Sequence, residues 1–502
     1  MMSLTQLWQR VAGAGIVLIF LVLSIAIALT ARPETDESVY ANSGYNLAFN
    51  GHMGTTLYQL GDYMPNSLGV YTYWQPPLYF VVTAVWYKIL GFGLTSTRLV
   101  SVFAGLLAIV CWYNFVRHLL GSVNVALAAA GFVAVDYFFL MGSGRGRMDI
   151  LCAALGAAAV SFYTVFRESK PSLAVFGSHL LAGLSFLAHP CGLAYALMLC
   201  VLTLWLDFRR IRVSWVLLGA LSYILCFTPW ILYLSRDWAA YREQLSAILV
   251  VNDGSFNPAA FSSNRYLRYL QQEVYFRYLG PFGLSAGTSI AGRAKALILL
   301  LYLSAVAAFL FWPKLRSNRR LLLLFLLFLT AFLVLTEAAP SKFYYYLPHT
   351  TAILAVSAAI FLCSLPFSRR FRLALLLGFA ALQIAGTAIS ISQNLRARSY
   401  QPAIEAILRH SAPGSLVIGS GELWFSLSAQ RTVIHDPALA GRSGLQPDIL
   451  VMDPLYRTQH RDASVKYPAI YAHGERLIRA SRLVYDDGYY QVYQNQRRGE
   501  LP

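Results

Sequence analysis

Apolar residues run through this chain in long blocks broken by short polar stretches. The blocks predict helices near 11–31, 98–116, 123–141, 149–166, 173–188, 192–206, 214–234, 294–312, 321–336, 347–364 and 373–391. Most approach the roughly twenty residues that an α-helix needs to cross a bilayer core of about 30 Å. After residue 391 the pattern changes. "PAIEAILRH" has helical spacing, and "GSLVIGS" and "DILVMD" are short apolar stretches bounded by turn or acidic residues. "SRLVYDDGYYQVYQN" reads as a hairpin around Asp487-Gly488. Two parts follow: a polytopic α-helical membrane body over 1–391 and a small α/β domain over 392–502.

One further apolar run, "PPLYFVVTAVWYKILGFG" at 76–93, decides the topology. Basic clusters lie at Arg10, at Arg117, at Arg167 and Lys170, at Arg209, Arg210 and Arg212, at Lys314, Arg316, Arg319 and Arg320, and at Arg369, Arg370 and Arg372. Cytoplasmic loops collect Lys and Arg. If 76–93 does not span, all six clusters share one side. If it spans, Arg10 is parted from the rest. The run is therefore expected to be an interfacial or re-entrant helix. Pro76-Pro77 suit its first turn, and Trp74, Tyr79, Trp86 and Tyr87 suit a headgroup boundary. Eleven spans result, in a cytoplasmic (inner) membrane, with the N-terminus inside and the C-terminal domain outside, periplasmic in a bacterium. The outer face receives 32–97, 142–148, the turn at His189-Pro190, 235–293 and 337–346. The run 11–31 is long for a signal peptide, and Leu29 interrupts a small-residue cleavage pattern, so it is read as an uncleaved first helix.

Composition changes little in this picture. The 502 residues are 57% hydrophobic and 13% charged, with a net charge of +17. The charge alone would suit nucleic acid, but its placement between apolar runs is that of a membrane protein. The six cysteines all lie in or at the ends of apolar runs and form no CxxC pair, so neither a disulfide framework nor a zinc site is expected.

Four features of the outer face carry candidate chemistry, because ionisable groups at a membrane edge are costly to keep. Asp36-Glu37 follow the first helix; solvated loop acids are the plain alternative. Arg145, Arg147 and Asp149 sit at the mouth of the fourth span, where Asp149 could equally be a helix cap. The loop 235–293 holds Arg265, Arg268 and other arginines interleaved with tyrosines, against the charge rule. A lipid phosphate would explain them, and so would an amphipathic helix on anionic lipid. Lys342 lies within "PSKFYYYLPH", which could also be an interfacial anchor. Together these acids and cations around one outer cavity suit transfer of a group from a phosphate to a hydroxyl. A carboxylate accepts the proton and cations stabilise the departing phosphate. Outside the cell a soluble nucleotide donor is not expected, so the donor arrives on a polyprenyl phosphate. The sequence has no GxGxxG and no P-loop.

"TDESVYANSGYNLAFNGHMG", "YWQPPLYFVVTAVWYKILGFGLTSTRLVSVFAGLLA", "RGRMDILCAALGA" and "SKFYYYLP", in that order, resemble the GT-C type polyprenyl-phosphate-sugar glycosyltransferases. That group includes aminoarabinose transferases and protein O-mannosyltransferases. The resemblance covers about residues 10–390, and a small extracytoplasmic α/β tail also fits it. It implies an inverting single displacement of a sugar from the lipid carrier to an envelope acceptor, lipid or glycan, with protein as the alternative. By the resemblance, Asp36, Glu37 and Asp149 are the catalytic acids. Lys342, Arg145, Arg147, Arg265, Arg268 and His189 hold the donor phosphate. Tyr40, Tyr45, Gln75, Pro76, Pro77 and Tyr345 line the substrate cavity. A divalent cation is left open; no dedicated oxygen cage is visible. The chain departs from the family at Trp74-Gln75, where relatives carry an acidic-Lys pair or a His. It departs again at His189-Pro190, in place of Lys-Gly-Pro. A transporter or flippase is the competing class, but no half-to-half repeat is visible. A non-catalytic scaffold is the third, and it leaves the set of Asp36, Asp149 and Lys342 unexplained.

Overall fold

Inside hydrocarbon each backbone N–H and C=O must find its partner within the segment, so long apolar runs fold as helices. In the computed structural model, which describes residues 3–58, 64–251, 263–285, 290–338 and 342–496, they do so throughout. The membrane body contains α1 (Leu4–Thr30), α2 (Thr35–Phe49), α3 (Leu78–Leu90), α4 (Leu94–Leu120), α5 (Val123–Val135), α6 (Tyr137–Ser143), α7 (Met148–Phe166), α8 (Pro171–Ala188), α9 (Leu193–Asp207) and α10 (Val213–Leu234). It continues with α11 (Trp238–Val251), α12 (Ser263–Gln272), a π-helical segment (Glu273–Leu284), α13 (Ile290–Phe311), α14 (Pro313–Arg316), α15 (Arg319–Ala338), α16 (Pro348–Ser364) and α17 (Arg369–Ser392). Among the described residues, nine helices are long and apolar enough to cross a membrane, and the bent pair α5–α6 makes a tenth. α16, 17 residues and almost wholly buried, is a shorter apolar helix at the place of the remaining expected span. The chain is a multi-pass membrane protein.

α3 has 13 residues, about 20 Å at 1.5 Å per residue. That is too short to span, in line with an interfacial role for 76–93. Packing also brings the six basic clusters to one end of the bundle. Gln9 Nε2 bonds Asn124 Oδ1 at 3.2 Å. Arg320 reaches the carbonyl of Leu119 at 2.8 Å, Trp205 Nε1 that of Arg319 at 3.0 Å, and Arg167 bonds Asp207 at 2.9 Å. Arg369 and Arg372 share a groove with Ala12 and Asn124. Asp36 lies at the other end, with the C-terminal domain.

The predicted helix 123–141 is two helices, bent by 62° at Asp136. Its carboxylate is fully buried and accepts from Phe139 N at 2.8 Å, Tyr302 Oη at 2.7 Å and Thr351 Oγ1 at 2.9 Å. The acid caps α6 from inside the bundle, so an apolar run that reads as continuous is interrupted by one carboxylate and three donors. Five elements escape the pattern of apolar runs: α2, α11, α12, the π-helical segment and the short α14.

The C-terminal domain holds α18 (Gln401–Arg409), α19 (Trp424–Leu427), α20 (Pro454–Lys466) and α21 (Pro468–Arg479) around a five-stranded sheet. Its strands are β1 (Leu416–Ile418), β2 (Thr432–Ile434), β3 (Ile449–Met452), β4 (Ser481–Asp486) and β5 (Gln491–Asn495). Their order is β2-β1-β3-β5-β4, with β2, β1 and β3 parallel and β4–β5 the antiparallel hairpin. The helix at "PAIEAILRH" and the strands at "GSLVIGS", "DILVMD" and the Asp487-Gly488 hairpin form as read. β2, α19, α20 and α21 are additions. The domain is not a separate ball. One apolar cluster joins Val39, Tyr40, Leu57, Tyr79 and Phe80 of the membrane body to Ile404, Leu423, Trp424 and Val451 of the domain.

Replacing Asp136 by Leu leaves three buried donors without an acceptor. Each such loss costs about 1–3 kcal/mol, so Asp136→Leu should lower the unfolding temperature in detergent markedly. Asp136→Asn, which keeps one acceptor oxygen, should lower it less.

Candidate active site

The site begins with a salt bridge. Glu37 and Arg98 are both fully buried. Arg98 Nε donates to Glu37 Oε1 at 2.9 Å and Nη2 to Oε2 at 2.8 Å, a bidentate fork. The remaining guanidinium hydrogens reach the carbonyls of Ala28, Ala31 and Arg32 at 2.8, 2.7 and 2.9 Å, so all five are used. Glu37 also accepts from the N–H of Glu34 at 2.9 Å and of Gly146 at 2.5 Å. A Cβ at Gly146 would sit 2.7 Å from Thr97 Cγ2, so the close approach needs glycine there. One carboxylate thus fixes the exit of α1, the start of α2, the start of α4 and the turn before α7. Glu37, expected to be catalytic, is saturated with donors and turned into the protein. The geometry makes it an anchor.

Its neighbour Asp36 faces the other way. About half of its side chain is exposed. Oδ2 accepts from Arg147 Nη1 at 2.7 Å, and no donor among the described residues reaches Oδ1. Arg147 is the hub of the site. Its Nε donates to Asp149 Oδ2 at 2.9 Å, Nη1 lies 3.9 Å from Glu34 Oε2, and the guanidinium stacks 3.8 Å from the Tyr345 ring centroid. Although it is buried, the charges of Asp149 and Asp36 hold it firmly protonated. Arg145 pairs with Glu34. Asp149 is buried in the first turn of α7, where a carboxylate is favoured. Its Oδ1 has no hydrogen-bond partner and lies 3.8 Å from His189 Nε2. His189 Nδ1 accepts from Cys191 N at 3.1 Å, which leaves the ring proton on Nε2, facing Asp149. Burial holds His189 below the usual histidine range, hence neutral near pH 7.

A second lobe adjoins the first. Tyr346 lies between the two, its ring 5.3 Å from His189 and 5.4 Å from the Arg277 guanidinium. Glu273, in the π-helical segment, pairs with Arg277 at 2.5 Å and with Lys342 at 3.1 Å. Lys342 Nζ also donates to the carbonyl of Thr336 at 2.6 Å. Burial holds this ammonium below the usual lysine range. Two cations share this acid, and Glu337 also acts on Lys342 electrostatically. π-helical turns inside helices often mark functional sites.

The other expected residues divide. Tyr40 is buried near Asp36 and Arg147. Gln75 is buried with Oε1 unpaired, and Pro76 and Pro77 open α3 beside it. Tyr45 does not line this cavity. It packs between Phe49, Phe92 and Trp424, at 4.9, 4.9 and 5.8 Å, where the C-terminal domain docks. Arg268 is exposed on α12, and no ion pair of it is found among the described residues. Arg265 lies at a position whose side chain falls outside the described residues, as do Pro340 and Ser341 of the Tyr-rich motif and residues 252–262 of the long loop. Sequence reading missed Glu34, Arg98 and Glu273, and it named Arg277 only among the arginines of the loop 235–293. Arg277 and Glu273 had a signal: an i, i+4 acid–base pair inside an aromatic stretch.

Among the described residues no group of three or more His, Cys, Asp or Glu side chains is placed to hold a metal ion. Arg147 stands between Asp36 and Asp149, pairs with both and occupies the place a cation between them would take. The donor set as arranged does not fit a divalent cation between these two acids.

Comparison with known proteins agrees with this architecture. A family model described as dolichyl-phosphate-mannose-protein mannosyltransferase matches residues 74–233. No curated protein matches the sequence. Over the full length of both chains, the structure resembles ArnT from Cupriavidus metallidurans in its apo state, at 17% identity and a TM-score of 0.62. It resembles the same protein bound to undecaprenyl phosphate at 17% identity and a TM-score of 0.57, with 99% of each chain covered. The oligosaccharyltransferase AglB from Archaeoglobus fulgidus, in complex with an inhibitory peptide and a dolichol-phosphate, matches at 14% identity and a TM-score of 0.52, with 98% of this chain and 75% of that one covered. The chain has the GT-C type fold that its sequence motifs resemble.

Removing Arg98 strands a buried carboxylate, at a cost of about 3–5 kcal/mol. Arg98→Met should therefore abolish or severely lower the unfolding transition of the purified protein. Asp36→Asn removes a half-exposed partner and should change stability by about 1 kcal/mol or less.

Proposed function

We propose that this protein is a membrane glycosyltransferase that moves a sugar from a polyprenyl-phosphate carrier to an envelope acceptor at the outer face of the cytoplasmic membrane. The observation that carries the reading is the pairing of two unlike lobes at one end of the bundle. One is a half-exposed carboxylate held by Arg147; the other is a buried pocket in which Arg277 and Lys342 share Glu273. Likeness to proteins solved with undecaprenyl phosphate and dolichol-phosphate supports a lipid phosphate as the carrier. The gathering of the basic clusters at the opposite end supports an outward-facing site.

In this reading the carrier phosphate enters the second lobe. Lys342 and Arg277 stabilise the charge that grows as the bond between the anomeric carbon and the phosphate oxygen breaks. The acceptor hydroxyl lies against Asp36 Oδ1 and attacks the anomeric carbon from the opposite side, inverting it. The hydroxyl proton passes to Asp36, and polyprenyl phosphate leaves with the bonding electrons. A carboxylate is a weak base toward an alcohol, so orientation by Arg147 carries much of the rate. The unpaired Oδ1 of Asp149 and the Nε2–H of His189 are an acceptor and a donor 3.8 Å apart, a pair suited to one sugar hydroxyl between them. If the acceptor is itself a phosphate, no proton need be removed, and Asp36 positions it through Arg147. Lipid or glycan is the preferred acceptor class.

Given a radiolabelled polyprenyl-phosphate sugar and an envelope lipid acceptor, purified protein should release polyprenyl phosphate and label the acceptor. Asp36→Asn should lower turnover about 10²–10⁴-fold with an unchanged unfolding temperature. Wild-type turnover in that variant removes Asp36 from the chemistry, and translocation of the intact donor would point instead to a transporter. Lys342→Met should weaken binding of polyprenyl phosphate by roughly thirtyfold or more. Unchanged affinity places the phosphate elsewhere.

A further inference from the structure

The C-terminal domain makes one charged contact with the membrane body that the catalytic reading does not use. Arg32 stands between the end of α1 and Asp36. Its Nη1 donates to Glu422 Oε2 at 2.6 Å, and Glu422 is almost fully buried. Tyr490 Oη donates to Glu422 Oε1, and the Arg32 guanidinium lies 5.0 Å from the Tyr489 ring centroid. The backbone carbonyl of Arg32 is itself held by Arg98 at 2.9 Å. The five residues from Arg32 to Asp36 are therefore gripped from both sides: by Arg98 in the bundle and by Glu422 in the domain. Three further contacts repeat the junction. His435 N donates to the carbonyl of Leu57 at 2.6 Å. Trp424 packs on Tyr45 and Phe92 at 5.8 and 4.9 Å. A Cβ on Gly421 would touch Thr35 Cγ2 at 3.2 Å.

We infer that the C-terminal domain is a positioning element of the active site, and that the Arg32–Glu422 ion pair is the clasp through which it sets the start of α2 and hence Asp36. The inference rests on the glycosyl-transfer reading for its effect on rate, but not for its effect on α2. With Glu422 buried and Arg32 about one-third exposed, the pair gives little net stability, because desolvation of the carboxylate offsets the attraction. What it fixes is geometry, and a displacement of about 1 Å at a reacting group can cost a hundredfold in rate.

The clasp is also built to respond to pH. Burial pushes the Glu422 carboxyl up to about 7; Arg32 opposes the shift and Asp453 adds to it. The titratable and charged groups facing it are Arg32, Tyr400, Asp453, Tyr489 and Tyr490. Its unfolded value lies near 4.3, so the folded state holds the proton more tightly. Its contribution to stability is complete below about pH 4 and is lost as pH rises through about 7. The ionised clasp thus costs stability while it orders the site. Glu422→Gln should then be as stable as wild type or more so at pH 8, yet less active.

The test uses the full-length protein in nanodiscs at pH 8 and compares wild type, Glu422→Gln and Arg32→Gln. Amide hydrogen exchange over residues 33–42 should rise about tenfold in both variants, with exchange in α7 and α16 unchanged. Turnover with a polyprenyl-phosphate sugar should fall about tenfold through kcat, with KM for the donor little changed. Wild-type turnover should drop as pH falls through about 7, and that limb should be absent from Glu422→Gln. Unaltered exchange in both variants overturns the clasp, and so does raised exchange with undiminished kcat. A wild-type protein that transfers no sugar while its variants still show the exchange response overturns the glycosyl-transfer reading and leaves the clasp standing. Should Glu422→Gln fail to fold, Arg32→Gln, which leaves the domain intact, decides.

Discussion

The buried pair of Glu37 and Arg98 is the contact on which the rest of this structure depends. It lies where four segments meet, and it satisfies every guanidinium hydrogen and four acceptor positions on the carboxylate. Such a pair gives little net stability when intact and is very costly to halve. Its consequence is registry. α2 leaves α1 at one angle, Gly146 can approach no other way, and Asp36, the residue before Glu37 in α2, is turned toward the cavity. Two adjacent acids with the same chemistry therefore have opposite fates, one buried and saturated, the other half-exposed with a free oxygen.

A second constraint is the sharing of counter-ions. Arg147 serves Asp36 and Asp149 together, and Glu273 serves Arg277 and Lys342 together. The first lobe carries more acid than base if Glu34 is counted with its partner Arg145; the second sets two cations beside Glu273 and Glu337. An electrostatic difference of this kind, set into protein of low dielectric, is strong without any ligand. It suits a substrate that is anionic at one end and hydroxylic at the other. Asp149 Oδ1 and Gln75 Oε1 are among the buried polar atoms left without a hydrogen-bond partner, and each can accept from a ligand.

Much of this was legible in the sequence, and the reasons for success and failure are physical. Apolar runs report hydrocarbon, so the spans and the short 76–93 helix could be read directly. Lys and Arg placement reports the two ends, and the basic clusters do share one. Alternation and turn residues gave the β4–β5 hairpin. Asp136 escaped because a single acid inside an apolar run does not show whether donors from α13 and α16 will meet it. α2 escaped because its buried face is polar, with Ser38, Asn42, Ser43 and Asn46 buried beside Glu37, and periodicity methods look for apolar stripes. Asp36, Asp149, Arg147 and Lys342 were found as a group because membrane-edge charge is rare. The division of labour between Asp36 and Glu37, the place of Tyr45 in a domain junction and the shared acid Glu273 depend on which side chains face each other across tens to hundreds of residues. Nothing local encodes that.

The central claim is that the second lobe beside Tyr346 receives a carrier phosphate across from Asp36. A cryo-electron microscopy structure of the protein in nanodiscs with undecaprenyl phosphate tests it most directly. The account predicts phosphate density within hydrogen-bond distance of Lys342 Nζ and the Arg277 guanidinium, with Lys342 drawn away from Glu273. Density at the opposite end of the bundle instead, in the groove of Arg369 and Arg372, with the Lys342–Glu273 pair undisturbed, would contradict it.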